Sequence, residues 1–204
     1  MAPREQLEAR IRALCEAGDK RRAATLLLEG YGAELLGFLL ARLRDRDAAA
    51  EVFSAFTEDM WRGLDGFGWR CTARVWAYTL ARHAASHYLR QAHRRRERPL
   101  ASGALSAIEQ QIRTESSASA RSEAKSQLVL LRERLPRDDQ LLLILRVNRQ
   151  LAWTEIAQVM LHEGEVVDTA QLEREAARLR QRYQKAKHKL KALAIEAGLV
   201  TARD

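Results

Sequence analysis

Arginine is the residue whose placement in this chain points most directly to chemistry. Residues 82–98 hold six Arg and one Glu, and residues 171–191 hold eight Lys or Arg and two acids. Cations massed in this way match a polyanion, most simply nucleic acid. On a helix, Arg82, Ser86, Arg90 and Arg94 fall on one row with His83 and His87 beside it. Phe67, Trp69, Arg70 and Trp76 stand just ahead of that row. Rings beside arginines suit single-stranded DNA, because bases stack on the rings while cations neutralise phosphates. In the second patch Arg174, Arg178 and Arg182 form one row, and Gln181, Lys185 and Lys189 another. In a major groove Arg pairs with guanine O6 and N7, while Lys and Gln reach phosphate or adenine. His83 and His87 have the i, i+4 spacing of a metal pair, but no third ligand stands at a suitable spacing, so neither metal nor cofactor is expected. No Gly-rich phosphate loop and no nucleophile with a base at a known spacing is present, which argues against an enzyme.

The remaining charge sharpens the contrast. The chain has 204 residues and a net charge of +8. Residues 1–81 carry 12 basic and 12 acidic side chains, and residues 99–170 carry 8 and 10. Basic runs are often plain solvated helix faces, yet two concentrated patches in a near-neutral chain favour a polyanion partner. Hydrophobic residues make up 47%, which excludes disorder throughout, and two cysteines, Cys15 and Cys71, exclude a disulfide scaffold. The uninterrupted apolar runs are short, so no membrane span is expected. The start MAPREQLEAR has no apolar core of a secretory signal, which points to the cytoplasm and reduced, buried thiols.

The elements that must position these rows read as helices, an all-α fold. Leu and Ala dominate, and no stretch alternates apolar and polar with strand-forming residues. Helices are expected at about 4–17, 19–29, 31–44, 47–64, 73–95, 122–134, 137–148, 153–162 and 169–197. Gly18, Gly30 and the cluster Gly63, Gly66 and Gly68 are the expected breaks, and Asp19 and Asp47 the expected caps. In DAAAEVFSAFTEDMWRGL, Val52, Phe56, Met60 and Leu64 share one face, and Asp47, Glu51, Glu58 and Asp59 make the others acidic. That acidity suits a protein partner or solvent. Trp76, Leu80, Ala84 and Tyr88 form the expected buried row of the next helix, with Trp69 exposed on a Gly-flanked loop.

Residues 99–122, rich in Ser and Ala without an aromatic, read as a flexible linker. They divide 1–98 from 123–204, giving two small helical domains. In the second, Leu141, Leu142, Leu145, Ile156 and Met160 form the expected core, with Trp153 at a helix start. Leu172, Ala176, Leu179, Tyr183, Ala186, Leu190 and Leu193 form an apolar stripe along the last helix.

Two stretches carry a family resemblance. DAAAEVFSAFTEDMWRGLDGF followed by RVWAYTLARHAASHYLR resembles region 2 of bacterial sigma factors, nearest the extracytoplasmic function (ECF) kind. LRERLPRDDQLLLILRVNRQLAWTEIAQVM resembles the start of sigma region 4. The resemblance implies a non-enzymatic specificity subunit whose partners are RNA polymerase core enzyme and promoter DNA, with an anti-sigma factor as a further possible partner. It implies that Asp47, Glu51, Phe56, Glu58, Asp59 and Trp61 hold the polymerase. It also implies that Phe67, Trp69, Arg70, Arg82, His83, His87, Arg90 and Arg94 open the −10 element and capture a flipped base. Arg174, Arg178, Gln181, Arg182, Lys185 and Lys189 would read the −35 element. This chain departs from the pattern at two points. Ala152 replaces the usual Ser or Thr cap, and LHEGEVVDTAQLEREA lengthens the turn, by a larger loop or by an earlier start of the last helix. A stand-alone helix-turn-helix regulator and a coiled-coil scaffold built on 169–197 are the alternatives.

Overall fold

The computed structural model describes residues 3–97, 130–161, 165 and 167–200. Among them there is no strand, so the all-α expectation holds; the expected linker 99–122 lies outside the described residues. The helices are α1 (Pro3–Glu16), α2 (Lys20–Leu43), α3 (Arg46–Gly63), α4 (Ala73–Glu97), α5 (Arg137–Leu143), α6 (Trp153–Met160) and α7 (Thr169–Glu196). A 3-10 turn spans Leu64–Gly66 and a π-helical turn spans Ile144–Asn148.

Helix α2 is the hub, contacted by α1, α3 and α4. Its Leu27, Leu35, Phe38 and Leu39 are fully buried. An 18-residue window of this helix reaches a mean hydropathy of 1.4, long and apolar enough for a membrane span by composition alone. The expectation that no segment qualifies is therefore too strict: single Glu and Gly residues interrupt the apolar runs but leave the average at 1.4. Here the apolar side of α2 is spent on the core.

Two sequence expectations about its ends change. Gly30 does not break the helix, and α2 runs through it. A Cβ at Gly30 would collide with Leu7 Cδ2, so the missing side chain lets α1 pack closely. The cap of α3 is Asp45, which accepts from the Ala48 N–H at 2.9 Å; Asp47 lies in the first turn. Asp19 caps α2 as expected, accepting from the Arg22 N–H at 3.1 Å.

The buried face of α4 also differs from expectation. Ala73, Arg74, Ala77, Tyr78, Ala81 and Ala85 are buried, whereas Trp76, Leu80, Ala84 and Tyr88 are half-buried. Helix α4 is packed by α2 and α3 and also by α6, so alanines take most of the crowded side, with Tyr78 edge-on to Phe38 among them, while Trp76 and Tyr88 lie at the rim. Arg74 is 2% exposed in the middle of this packing. Its Nε and Nη2 donate to Glu34 Oε1 and Oε2 at 2.7 and 3.0 Å. Burial pushes the Arg74 pKa down, and Glu34 more than reverses this, leaving it above the usual value. The same helix start is capped from α1: Glu8 accepts from the Ala73 and Arg74 N–H groups at 2.7 and 3.1 Å. A carboxylate there satisfies orphan donors and faces the positive end of the helix dipole. Tyr31 donates to Glu8 at 2.6 Å, and burial together with that bond raises the Tyr31 pKa.

Leu141, Leu142, Leu145 and Ile156 are buried as expected, while Met160 is half-buried and Val159 takes the interior place. Trp153 sits between the Arg146 and Arg180 guanidiniums, 4.9 and 5.7 Å from its ring, with Tyr183 edge-on at 5.4 Å. These contacts fasten α6 to α7. Ala152 supplies no cap, but Glu155 still accepts from the Ala152 N–H at 2.6 Å. Asp168 and Gln171 form a full reciprocal cap for α7. Part of the lengthened turn, from Thr169 onward, is therefore helix.

Apolar residues from both sides of 99–122 belong to one contiguous core. Breaking a buried ion pair leaves a desolvated charge, so Glu34→Ala should cost about 3 kcal/mol. Urea unfolding measures it; a loss under about 1 kcal/mol would show that water solvates Arg74 once Glu34 is gone.

Candidate nucleic-acid interface

The loop before α4 gathers the aromatic residues. Trp69, Phe67 and Trp76 follow one another in that order with ring centroids 4.6 Å apart at each step, Trp69 being tilted by 45° from Phe67. Phe67 and Trp76 lie nearly parallel, at 17°. Trp76 lies below Gly63, where a Cβ would fall 3.2 Å from its Cζ2. Trp69 has φ 53°, in the left-handed region that a bulky side chain rarely enters. That backbone costs on the order of 1–2 kcal/mol, which the ring contacts must offset. Trp69 is half-buried rather than exposed as expected, because it covers Phe67 and lies under Arg12, 5.6 Å from its ring.

Two cations at this site have no local sequence signal. Arg12 comes from α1, and Lys20 from the start of α2. Lys20 lies 4.8 Å from the Trp61 ring and pairs with Asp65 at 2.6 Å. A hollow of about 210 Å³ lies among Cys15, Lys20, Leu64, Asp65, Phe67 and Trp69. Arg70 is exposed beside it. The arrangement offers flat rings and cations side by side, which is what an unstacked base with its phosphate requires.

Along α4, Arg90, Arg94 and His87 are exposed, whereas Arg82 and His83 are half-buried. Arg82 donates to the Leu161 carbonyl and approaches His83 Nε2 at 2.5 Å. An arginine has no acceptor, so His83 accepts at Nε2 in that contact. His87 and Gln91 are 3.3 Å apart. No group of three or more His, Cys, Asp or Glu among the described residues is placed to hold a metal. Arg82, His83, His87 and Arg90 line one side of an open groove of about 720 Å³, and Glu51 and Asp59 of α3 line the other. The fold thus brings together side chains that the sequence assigns to two different partners.

On α3, Asp47, Glu51, Glu58, Asp59 and Trp61 are exposed, Trp61 by 46%. Arg62 binds Glu58 at 2.8 Å and Asp59 at 3.4 Å. Phe56 is fully buried and offers no surface to a partner. Its helical phase with Val52 and Met60 already placed it on the core side.

On α7, Ala176, Leu179 and Ala186 are buried and Leu172, Tyr183, Leu190 and Leu193 half-buried. Arg174, Arg178, Gln181, Lys185 and Lys189 are exposed. Arg178 pairs with Glu175 at 3.0 Å. Arg182 turns toward α5, with Nε 2.5 Å from Asp139 and Nη2 3.6 Å from Asp138. Its phase, next to Tyr183, put it at the edge of the buried stripe.

With this geometry in place, comparison of the chain with protein-family models found no match, and comparison with curated proteins found none. The functional reading rests on the residues themselves.

Cys71 reports on the packing of the aromatic loop. Burial pushes its thiol up from 9.0 to about 11, with Glu8 adding to the rise and Arg70 opposing it. A raised thiol pKa contributes stability that is present below pH 9.0 and lost as pH climbs to about 11. Iodoacetamide should therefore alkylate Cys71 with a rate midpoint near pH 11. A midpoint near the free-thiol value would mean that the loop opens readily from α1.

Proposed function

We propose that the chain is a promoter-specificity subunit of bacterial RNA polymerase of the ECF sigma type, cytoplasmic and without catalytic activity of its own. Residues 1–98 and 123–204 act as its two modules, joined by 99–122. The aromatic stack Trp69–Phe67–Trp76, set among Arg12, Lys20 and Arg70, is the observation that carries the reading. Clustered rings with cations beside and over them suit bases that have left the duplex and their phosphates. The exposed arc of α7 supplies a helix that fits a major groove, with Arg174, Arg178, Gln181, Lys185 and Lys189 facing outward. Arg182 serves as an anchor to α5 and takes no part in base reading. The acidic, exposed part of α3, with Trp61 at its end, is the surface for core enzyme. A coiled-coil scaffold fits less well, since α7 packs its apolar stripe on α5 and α6 of its own chain.

Run-off transcription with purified core enzyme and fragmented genomic DNA tests this reading. Defined transcripts that depend on the protein are the expected result, and none from any cognate fragment would overturn it. A gel shift separates the reading from a stand-alone regulator: affinity for promoter DNA should be weak alone and rise with core enzyme. Within it, Trp69→Ala should lower promoter opening about tenfold, by loss of one base-stacking contact. Core binding should be unchanged; a matching loss of core affinity would make Trp69 structural.

A further inference from the structure

A buried N–H or O–H group that has left water costs free energy until an acceptor meets it. Three such groups gather where α2, α4 and the end of the π-helical turn meet. Arg74 Nη1, Tyr78 Oη and Arg149 Nε are buried and have no hydrogen-bond partner. Arg74 is 2% exposed and Tyr78 0%. The three side chains adjoin one another. Arg74 Nη2 donates to the Arg149 carbonyl at 3.0 Å, and the Arg74 guanidinium lies 5.4 Å from the centre of the Tyr78 ring. Phe38 of α2, fully buried, meets that ring edge-on at 5.3 Å and supplies a dry wall. Gly37 contributes by what it lacks: a Cβ there would lie 2.6 Å from Arg149 Nη2, so the long side chain can cross α2.

The cluster demands an acceptor and offers none. Both Glu34 oxygens already accept from Arg74, and Glu155, the other carboxylate that acts on Arg74, accepts from the Ala152 N–H. Burial, with Glu34 adding to it, holds the Tyr78 pKa above its usual value, so the phenol keeps its proton and stays a donor. An Arg74 Nη1 turned onto the phenol oxygen would still leave the phenol proton and Arg149 Nε in need of an acceptor. Water fits poorly, because its own two protons also need acceptors and here would face two guanidiniums. A halide accepts from every direction, brings no proton and offsets one cationic charge. We infer that Arg74, Tyr78 and Arg149 bind a small monovalent anion of the chloride kind. The ion ties α2 and α4 to the segment after α5 and belongs to the folded structure. This site is independent of the proposed function.

Unfolding of the full chain in urea, with chloride replacing gluconate at fixed sodium and ionic strength, tests the site. An anion site with a Kd of about 10 mM raises the folded-to-unfolded ratio about thirtyfold at about 300 mM chloride, along a one-site curve. Bromide should act as chloride does. Equal stability in chloride and gluconate overturns the inference and leaves the donors to water. Tyr78→Phe removes one donor and keeps the ring. It should weaken chloride binding about tenfold, yet in gluconate the variant should be at least as stable as the native chain, since an orphan hydroxyl is gone. Arg149→Gln should flatten the chloride curve, whereas Arg46→Gln, the loss of an exposed cation on α3, should leave it unchanged. A curve that Tyr78→Phe and Arg149→Gln both leave unchanged means an adventitious ion only, held by surface arginines, and overturns the site. Where Arg149→Gln does not fold, crystals of the native chain soaked in bromide decide. An anomalous peak in contact with Tyr78 Oη and Arg149 Nε is expected, and peaks on surface arginines alone overturn the site.

Discussion

Arg74 is the constraint around which the described helices are arranged. A guanidinium that is 2% exposed must have carboxylate and carbonyl partners or the fold carries an uncompensated charge. Glu34 of α2 supplies the carboxylate and the end of the π-helical turn supplies the carbonyl. Glu8 of α1 caps the same helix turn through the backbone. One residue thus sets the positions of α1, α2, α4 and the segment after α5. Partners drawn from three other elements specify one arrangement, because an apolar interface tolerates sliding and a forked ion pair does not.

The aromatic stack depends on that arrangement. Trp69 holds a left-handed backbone while its ring rests against Phe67 and under Arg12, and Arg12 lies one helical turn after Glu8, which is bonded to the start of α4. Strain kept in place by its surroundings is a mark of functional sites. It fits the proposed role, in which the ring must be in position before a base arrives.

Much of the fold was legible in the residue pattern. The phase of Val52, Phe56, Met60 and Leu64 gave the buried side of α3, and the stripe from Leu172 to Leu193 gave that of α7. Both helices pack on one side, so hydrophobic periodicity and burial coincide. The pattern failed on α4, which is packed on more than one side. There the buried residues are four alanines, Val75, Tyr78 and Arg74, and the row Trp76, Leu80, Ala84 and Tyr88 falls on the rim instead. Gly30 misled in a related way, since close packing against Leu7 explains it better than a helix end. The site was legible as a composition, aromatic residues followed by arginines. Arg12 and Lys20 were not, because they reach it from helices about fifty residues earlier.

The sequence by itself determined an all-α chain, the location of its two basic patches and the helical rows on which their side chains lie. These follow from local propensity and from the 3.6-residue period, which need no knowledge of distant partners. Only the tertiary structure decided which cations remain available. Arg82 and Arg90 share a row, as Arg178 and Arg182 do, yet Arg82 is held by a carbonyl from residue 161 and Arg182 by Asp138 and Asp139. The charge of a guanidinium is set by its residue type. Whether that charge faces solvent or a helix end is set by what the fold brings beside it.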